Sequence, residues 1–164
     1  MIYSVMTQEE FINVLDRKDY SYEIEGDRII VTYRGRVFLE SLTSLPPGVE
    51  FKNRGYVNLE SLTSLHHGVV FKNREYVDLQ SLTSLPTGVE FKNKGDVYLQ
   101  SLTSLPPGVE FKNGGSVFLK CFTSLPPGVE FKNGGSVQPY SKFNIKGIDS
   151  KRLLNVMIKQ GVFI

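Results

Sequence analysis

The side chains best suited to chemistry in this sequence are two adjacent histidines, His66 and His67. Imidazole nitrogens bind zinc, but a zinc site needs three or four ligands in all. No aspartate, glutamate or cysteine lies within a few residues of the pair to complete such a set. We therefore interpret the two histidines as a diverged surface corner, and we expect neither a metal nor another cofactor.

The single cysteine, Cys121, is the next candidate for chemistry. A thiol becomes a nucleophile when a neighbouring base or cation lowers its pKa, and no histidine stands near Cys121 in the sequence. A lone cysteine also excludes an intramolecular disulfide. The glycine pairs at 114–115 and 134–135 fall at predicted strand corners and open no helix, so they do not predict a phosphate site. We expect this protein not to be an enzyme.

The charged side chains are set out by a repeat rather than clustered in a site. The phrase SLTSLPPGVEFKN begins at Ser41, and the same or a closely similar phrase begins again at Ser61, Ser81, Ser101 and Cys121. The interval between successive starts is therefore constant. A fixed period of this length indicates a solenoid, in which each repeat forms one coil and packs on its neighbours.

Each repeat predicts two short strands separated by corners. Apolar and polar residues alternate over 49–52 and again over 57–60, as in strands with one buried face. Pro46, Pro47 and Gly48 mark one corner, and Asn53 and Gly55 mark the other. The fold class is therefore mainly β, a β-solenoid with about 20 residues per coil and a capping helix at each end.

The domain organisation follows from this period. Residues 1–20 form an N-terminal helical cap, in which Thr7 and Glu10 make a capping box for a helix near residues 8–16. Residues 141–164 form a C-terminal helical cap, with a helix near residues 150–160. Between the caps, the solenoid of 21–140 divides into a degenerate coil and five full repeats, at 21–40, 41–60, 61–80, 81–100, 101–120 and 121–140.

The outward positions of the second strand of each repeat vary, and aromatic residues recur among them. Exposed tyrosine and phenylalanine beside charge are typical of protein-binding surfaces, although drift on a solvated face is the plainer explanation. We prefer binding. The predicted partner-binding residues are Tyr56, Tyr76, Asp78, Asp96, Tyr98, Phe118 and Lys120. The first strand carries lysine and glutamate columns that should neutralise each other.

A second function comes from a different class of protein. Ser41 and Thr43 flank an inward leucine, and this Ser-x-Thr pair recurs in four copies. Regular hydroxyl and charge ladders on a flat solenoid could make a structural or surface-binding module for ice or a polysaccharide. The simpler interpretation, which we prefer, is that these hydroxyls bond backbone groups at a bend.

Composition limits the partners and the compartment. The net charge of +2 is too small to indicate nucleic-acid binding. The start, MIYSVMTQEEF, has neither the basic nor the apolar region of a signal peptide, and no apolar run reaches membrane-spanning length. We therefore expect a cytoplasmic protein without a membrane partner, monomeric, with a dimer left open.

The stretch LTSLPPGVEF resembles the LxxLPxxxF part of leucine-rich repeats, and the short period is similar to that of bacterial leucine-rich effectors. The stretch 97–102, VYLQSL, departs from that family because it lacks the expected asparagine. A horseshoe and a two-sheet solenoid both remain open. The resemblance implies a protein-binding scaffold, and by analogy a bacterial or phage inhibitor or adaptor.

Overall fold

The computed structural model describes residues 5–120 and 126–140, which form one helix and two β-sheets. The helix, α1, spans Gln8–Arg17. Strands are numbered in chain order. The first sheet contains β1 (Tyr22–Glu25), β2 (Arg28–Val31), β4 (Val49–Phe51), β6 (Val70–Phe71), β8 (Glu90–Phe91), β10 (Glu110–Phe111) and β12 (Glu130–Phe131). The second sheet contains β3 (Val37–Phe38), β5 (Val57–Asn58), β7 (Val77–Asp78), β9 (Val97–Leu99), β11 (Val117–Lys120) and β13 (Val137–Tyr140).

The coils stack in a register that repeats the sequence period. Every parallel strand pair joins a residue to its equivalent in the next repeat, as in Phe51 with Phe71 and Val57 with Val77. Each coil thus gives one strand to each sheet, and residues at the same position of successive coils form a column. The predicted mainly β solenoid with about 20 residues per coil is confirmed. Because strands line two sides of each coil, the two-sheet form applies rather than the horseshoe.

Alternation places the apolar residues inside. Val57 and Leu59 are buried, whereas Tyr56 and Asn58 between and beside them are partly exposed. In the first sheet the inward phenylalanines pack ring on ring along the core, with centroids 5.1 to 5.5 Å apart and nearly parallel planes. These rings belong to Phe51, Phe71, Phe91, Phe111 and Phe131. The core is therefore a continuous column that no single coil could form alone.

An asparagine ladder holds the corner between the two strands of a coil. The side-chain amide of Asn93 donates to the carbonyls of Gly95 and Asp96 in its own coil, at 3.0 and 3.1 Å. It also lies 3.2 Å from the carbonyl of Glu75 in the preceding coil. The same pattern recurs at Asn53, Asn73 and Asn113. An asparagine at the same position of every repeat thus ties each coil both to itself and to its neighbour.

The N-terminal end is covered by α1 and by a strand that the sequence did not predict. Thr7 and Glu10 form the predicted capping box, and Phe11 and Leu15 of α1 join the core. Strand β1 pairs antiparallel with β2 at the edge of the first sheet. In the second sheet the edge N–H of Phe38 donates to the Tyr20 hydroxyl at 2.9 Å. The closing helix near residues 150–160 falls outside the described residues and stays a prediction.

Over residues 5–120 and 126–140, no helix combines the length and the hydropathy needed to cross a membrane.

Candidate functional site

Five aromatic rings form an unbroken row on the outer face of the second sheet, and we call this row the aromatic strip. Consecutive ring centroids lie 5.3, 4.5, 5.7 and 4.8 Å apart. Phe38 is exposed and the other four are half-buried. The strip crosses five successive coils, and its members are Phe38, Tyr56, Tyr76, Tyr98 and Phe118.

The strip is continuous because each coil contributes one ring from either of two outward positions. Tyr56 and Tyr76 share one column, whereas Tyr98 and Phe118 share the column two residues further along the strand. The rings stack within a column, with planes 11° and 8° apart. The strip changes column twice, between Phe38 and Tyr56 and again between Tyr76 and Tyr98, and at both places the rings meet edge to face, at 83° and 88°. The row therefore shifts sideways without a gap.

In the coils after the first, a small polar residue takes the outward position that the ring leaves empty. Asn58 and Asp78 fill it beside the first two tyrosines, and each accepts a hydrogen bond from the backbone N–H two residues later, at 3.0 and 3.1 Å. Asp96 fills it beside Tyr98, and its Oδ1 accepts the N–H of Ser116 at 2.6 Å. These short side chains fold back onto the backbone and leave the rings as the prominent groups of the face.

The stacking decides which part of each ring a partner can meet. Tyr56 and Tyr76 lie face to face, so the face that each ring turns toward the other is closed to a partner. Ring edges carry partial positive charge and attract oxygen atoms. Burial raises the pKa of Tyr76 and of Tyr98, with nearby carboxylates adding to the shift. Both phenols are therefore protonated donors at neutral pH.

Asp78 is the carboxylate of the strip with a perturbed pKa. Burial raises its pKa, and this effect outweighs the hydrogen bond from the Gln80 N–H, which lowers it; the charge of Glu60 raises it further. Asp96 lies in the column of Tyr56 and Tyr76, one coil further along, and its Oδ2 accepts the Tyr98 hydroxyl at 3.5 Å. The two predicted acidic residues thus lie on the same face as the rings, one on each side of the change of column between Tyr76 and Tyr98.

Six of the seven predicted site residues fall on one face, and the structure adds two more. The seventh, Lys120, is the last residue of β11 and pairs with Tyr140 of β13. Phe38 was not among the predicted residues, yet it opens the strip at the N-terminal end. The guanidinium of Arg36 lies over the Tyr56 ring at 5.2 Å from its centroid. The repeat register already aligned Phe38 with Tyr98 and Phe118, and that alignment was the signal for it.

The outer face of the first sheet has a different character, because its charges neutralise one another. Lys92 pairs with Glu90, and Lys132 pairs with both Glu130 and Glu110. These ion pairs are exposed to solvent, which screens them. They hold the pKa of Glu110 down at about 2, chiefly through hydrogen bonds from Lys112 and Lys132. This face presents alternating, already paired charges.

Glu50 is the exception, because it is buried although it belongs to the same column as the other glutamates. Its side chain is 1 % exposed and lies against Arg28, Lys52 and Lys72. The contact with Lys72 follows from the sequence, since Val70 stands where other repeats have the glutamate that would pair with Lys72. Lys72 Nζ therefore lies 2.9 Å from Glu50 Oε1 in the preceding coil.

The threonine hydroxyls are engaged with the backbone, as the simpler interpretation predicted. The hydroxyls of Thr63, Thr83 and Thr103 each donate to the carbonyl of the threonine one coil earlier, at 3.3, 3.4 and 2.9 Å. Their donors are therefore already used along the corner. This arrangement counts against an ice-binding or polysaccharide-binding hydroxyl array.

One residue of the histidine pair lies beside an open cavity of about 580 Å³ near the N-terminal end. His67 lines this cavity together with Gln8, Asp27 and Arg28. A single carboxylate next to a guanidinium is a poor setting for a metal ion. In the described ranges, 5–120 and 126–140, no three residues of the types that bind metals are grouped as ligands.

Comparisons with protein-family models, with curated proteins and with solved structures found no match to this chain.

Proposed function

We propose that this chain is a non-enzymatic scaffold that binds another protein through the aromatic strip of its second sheet. An inhibitor or adaptor of bacterial or phage origin is the biological setting we propose, by analogy with other small repeat proteins. The observation that carries the proposal is the unbroken contact of five partly exposed rings across five coils.

The contrast between the two sheets supports this choice of face. Both outer faces are built on the same coils, yet among the described residues the outward columns that repeat from coil to coil carry aromatic side chains on the second sheet only. Tyrosine and other aromatic residues dominate the binding energy of protein interfaces where a partner removes them from water. Lysines and glutamates that are already paired contribute much less to binding energy, because water and salt screen their charges.

The edge-on arrangement of the rings also bears on the kind of partner. Nucleic-acid bases and sugars bind aromatic residues by stacking on open ring faces. In the strip Tyr56 stacks on Tyr76 and Tyr98 stacks on Phe118, so one face of each of these rings is closed to such stacking and ring edges take a larger share of any contact. Backbone carbonyls and side chains of a protein fit such a surface.

The test is affinity purification from the native host with the wild-type chain, followed by binding measurements on the recovered partner. Replacing Tyr76 and Tyr98 with serine should weaken binding at least about tenfold. The matched control replaces Lys92 and Lys112, whose acidic partners are exposed, with serine. We expect the control to weaken binding much less, with both variants retaining a β-type circular dichroism spectrum.

A larger effect of the lysine pair would assign binding to the first sheet. If neither pair matters while a partner binds tightly, the strip has no binding role and the proposal is wrong.

A further inference from the structure

A row of basic side chains borders the aromatic strip at the corner that leads into the second sheet. The N–H groups of Arg54, Arg74 and Lys94 donate to the carbonyls of Tyr33, Asn53 and Asn73, at 3.3, 3.2 and 3.0 Å. Each of these carbonyls belongs to the residue just before the basic residue of the preceding coil. With Arg34 of the first coil, they form a column of four exposed basic residues. We call this column the basic ridge, formed by Arg34, Arg54, Arg74 and Lys94.

The ridge differs from the lysine column two residues earlier in the repeat because its charges are not neutralised. Lys52, Lys72, Lys92, Lys112 and Lys132 each lie within ion-pair distance of a glutamate. In the part of the chain that the structure describes, no residue of the basic ridge forms an ion pair. Like charges about 4.8 Å apart repel one another, so the column costs stability.

The ridge is confined to one part of the solenoid. In the last two coils the same position holds Gly114 and Gly134, although the lysine and glutamate columns continue there. The repeat therefore does not require a cation at this corner. The ridge flanks the part of the strip from Phe38 to Tyr98, where Glu75, Asp78 and Asp96 are the nearby acidic residues.

From these observations we propose that the partner presents an α-helix whose acidic side chains lie along the basic ridge while its apolar side lies on the aromatic strip. This inference rests on the proposed function and deepens it by naming the chemistry of the partner. The helix runs parallel to the axis of the solenoid. Its diameter of about 10–12 Å lets it cover the ridge and the adjacent strip together.

The spacing of the ridge favours a helix over other acidic chains. Side chains three and four residues apart on a helix lie about 5–6 Å apart, close to the spacing of about 4.8 Å between coils. Alternate side chains of an extended strand lie about 6.6–6.8 Å apart and lose register within a few coils. Four coils span about 14 Å, and acids at helix positions 1, 4, 8 and 11 span about 15 Å.

The experiment uses the full chain and two synthetic helical peptides of equal composition. The patterned peptide carries glutamate at positions 1, 4, 8 and 11 with leucine on the adjoining face, and the scrambled peptide spreads the same residues around the helix. Fluorescence anisotropy at low salt measures both. We expect the patterned peptide to bind at least about tenfold more tightly than the scrambled peptide. The double variant Arg54→Gln with Arg74→Gln should weaken binding of the patterned peptide at least about tenfold.

The control is Lys112→Gln with Lys132→Gln, which makes the same change of net charge in the lysine column that is paired with glutamates. It should weaken binding of the patterned peptide less than about threefold. Equal binding of the two peptides, equal effects of the two charge variants, or no binding of the patterned peptide would overturn the inference. So would tighter binding of a DNA duplex of similar length, which would indicate a general affinity for polyanions.

The aromatic variant separates this inference from the proposed function. If Tyr76→Ser with Tyr98→Ser leaves peptide binding unchanged while the ridge variant abolishes it, the ridge stands and the strip loses its role. If the aromatic variant abolishes binding of the native partner and the ridge variant does not change it, the strip stands and the acidic helix is wrong.

Discussion

At the scale of single residues, the fold makes each side chain part of a column, so its neighbours above and below have nearly its own identity. Phe91 lies between Phe71 and Phe111 with nearly parallel rings, and it is fully buried. Lys92, the next residue, points to solvent and pairs with Glu90. Of these two adjacent residues, Phe91 therefore contributes much to stability and Lys92 contributes little.

This contrast gives the first prediction. Phe91→Ala should lower the free energy of unfolding by about 3–5 kcal/mol, because it leaves a cavity inside the ring column. Lys92→Ala should lower it by less than about 1 kcal/mol, because its ion pair is exposed. Urea denaturation monitored by circular dichroism measures both. Similar losses at the two positions would mean that the inward and outward faces are misassigned.

A second prediction concerns the pH dependence of stability at Asp78. Burial raises its pKa above the value in the unfolded chain, so the folded state holds the proton more firmly. Its contribution to stability therefore falls as the pH rises above about 3.8. The amide of Asp78→Asn can still accept the Gln80 N–H, and the variant avoids this loss. We expect it to gain melting temperature relative to the wild type at pH 7 but not at pH 3.

The control is Asp27→Asn, which makes the same change of charge at an exposed position. If the difference in melting temperature between Asp78→Asn and the wild type were the same at both pH values, burial would not be what perturbs this carboxylate. A stabilising variant that also weakened partner binding would show why a costly carboxylate is retained on this face.

At the scale of the elements, the period and the alternation of the repeat predicted most of the architecture. The strands, their inward residues, the asparagine ladder and α1 follow from patterns within a single repeat or from one capping box. The aromatic strip was predicted in part, since Phe38 lies in the degenerate coil where the repeat is weakest. Sequence periodicity reveals positions that carry similar residues in every repeat. The strip takes its rings from two alternating columns, so its continuity is visible only in the three-dimensional structure.

The features that the sequence did not predict are those that break the repeat. Strand β1 pairs antiparallel with β2 at the edge of the first sheet, whereas the repeat predicts only parallel pairing between coils. The burial of Glu50 depends on Arg28 in the preceding coil and Lys72 in the following one, so no single repeat encodes it. Tyr20 lies before the first coil and bonds across to Phe38. Each depends on contacts between unlike segments.

The third prediction tests the edge bond of the second sheet. Tyr20→Phe removes the hydroxyl that accepts the Phe38 N–H, while the ring contact with Tyr33 is preserved. We expect a loss of about 0.5–1.5 kcal/mol and faster hydrogen exchange at the Phe38 amide. The amide of Leu39, which donates to the Asn58 carbonyl, is the internal reference. Unchanged exchange at Phe38 would show that the hydroxyl does not protect this edge.

At the scale of the whole molecule, the register that all the coils share makes the solenoid modular. Each coil contacts mainly its two neighbours, so stability should be close to a sum of coil and interface contributions. A change of length by whole coils keeps every column aligned, whereas any other change moves inward residues to the outside.

The fourth prediction follows from this modularity. Deleting residues 81–100 joins Gln80 to Ser101 and should give a folded, less stable protein, in which Phe118 takes the place of Tyr98 beside Tyr76. Deleting only residues 81–90 interrupts the register and should prevent the following coils from stacking on those before it. Circular dichroism and urea titration distinguish the two. A half-coil deletion as stable as the whole-coil deletion would contradict the modular account.

The direction of the hydrogen bonds between coils has a mechanical consequence. These bonds run along the axis, from the Val57 N–H to the Tyr76 carbonyl and from the Lys92 N–H to the Phe71 carbonyl. Tension applied at the two ends of the stack would load one row of bonds at a time and peel the coils apart in sequence. A load spread across the side of the stack would instead be shared by several coils. We therefore expect the stack to resist a load on its flank better than tension along its axis.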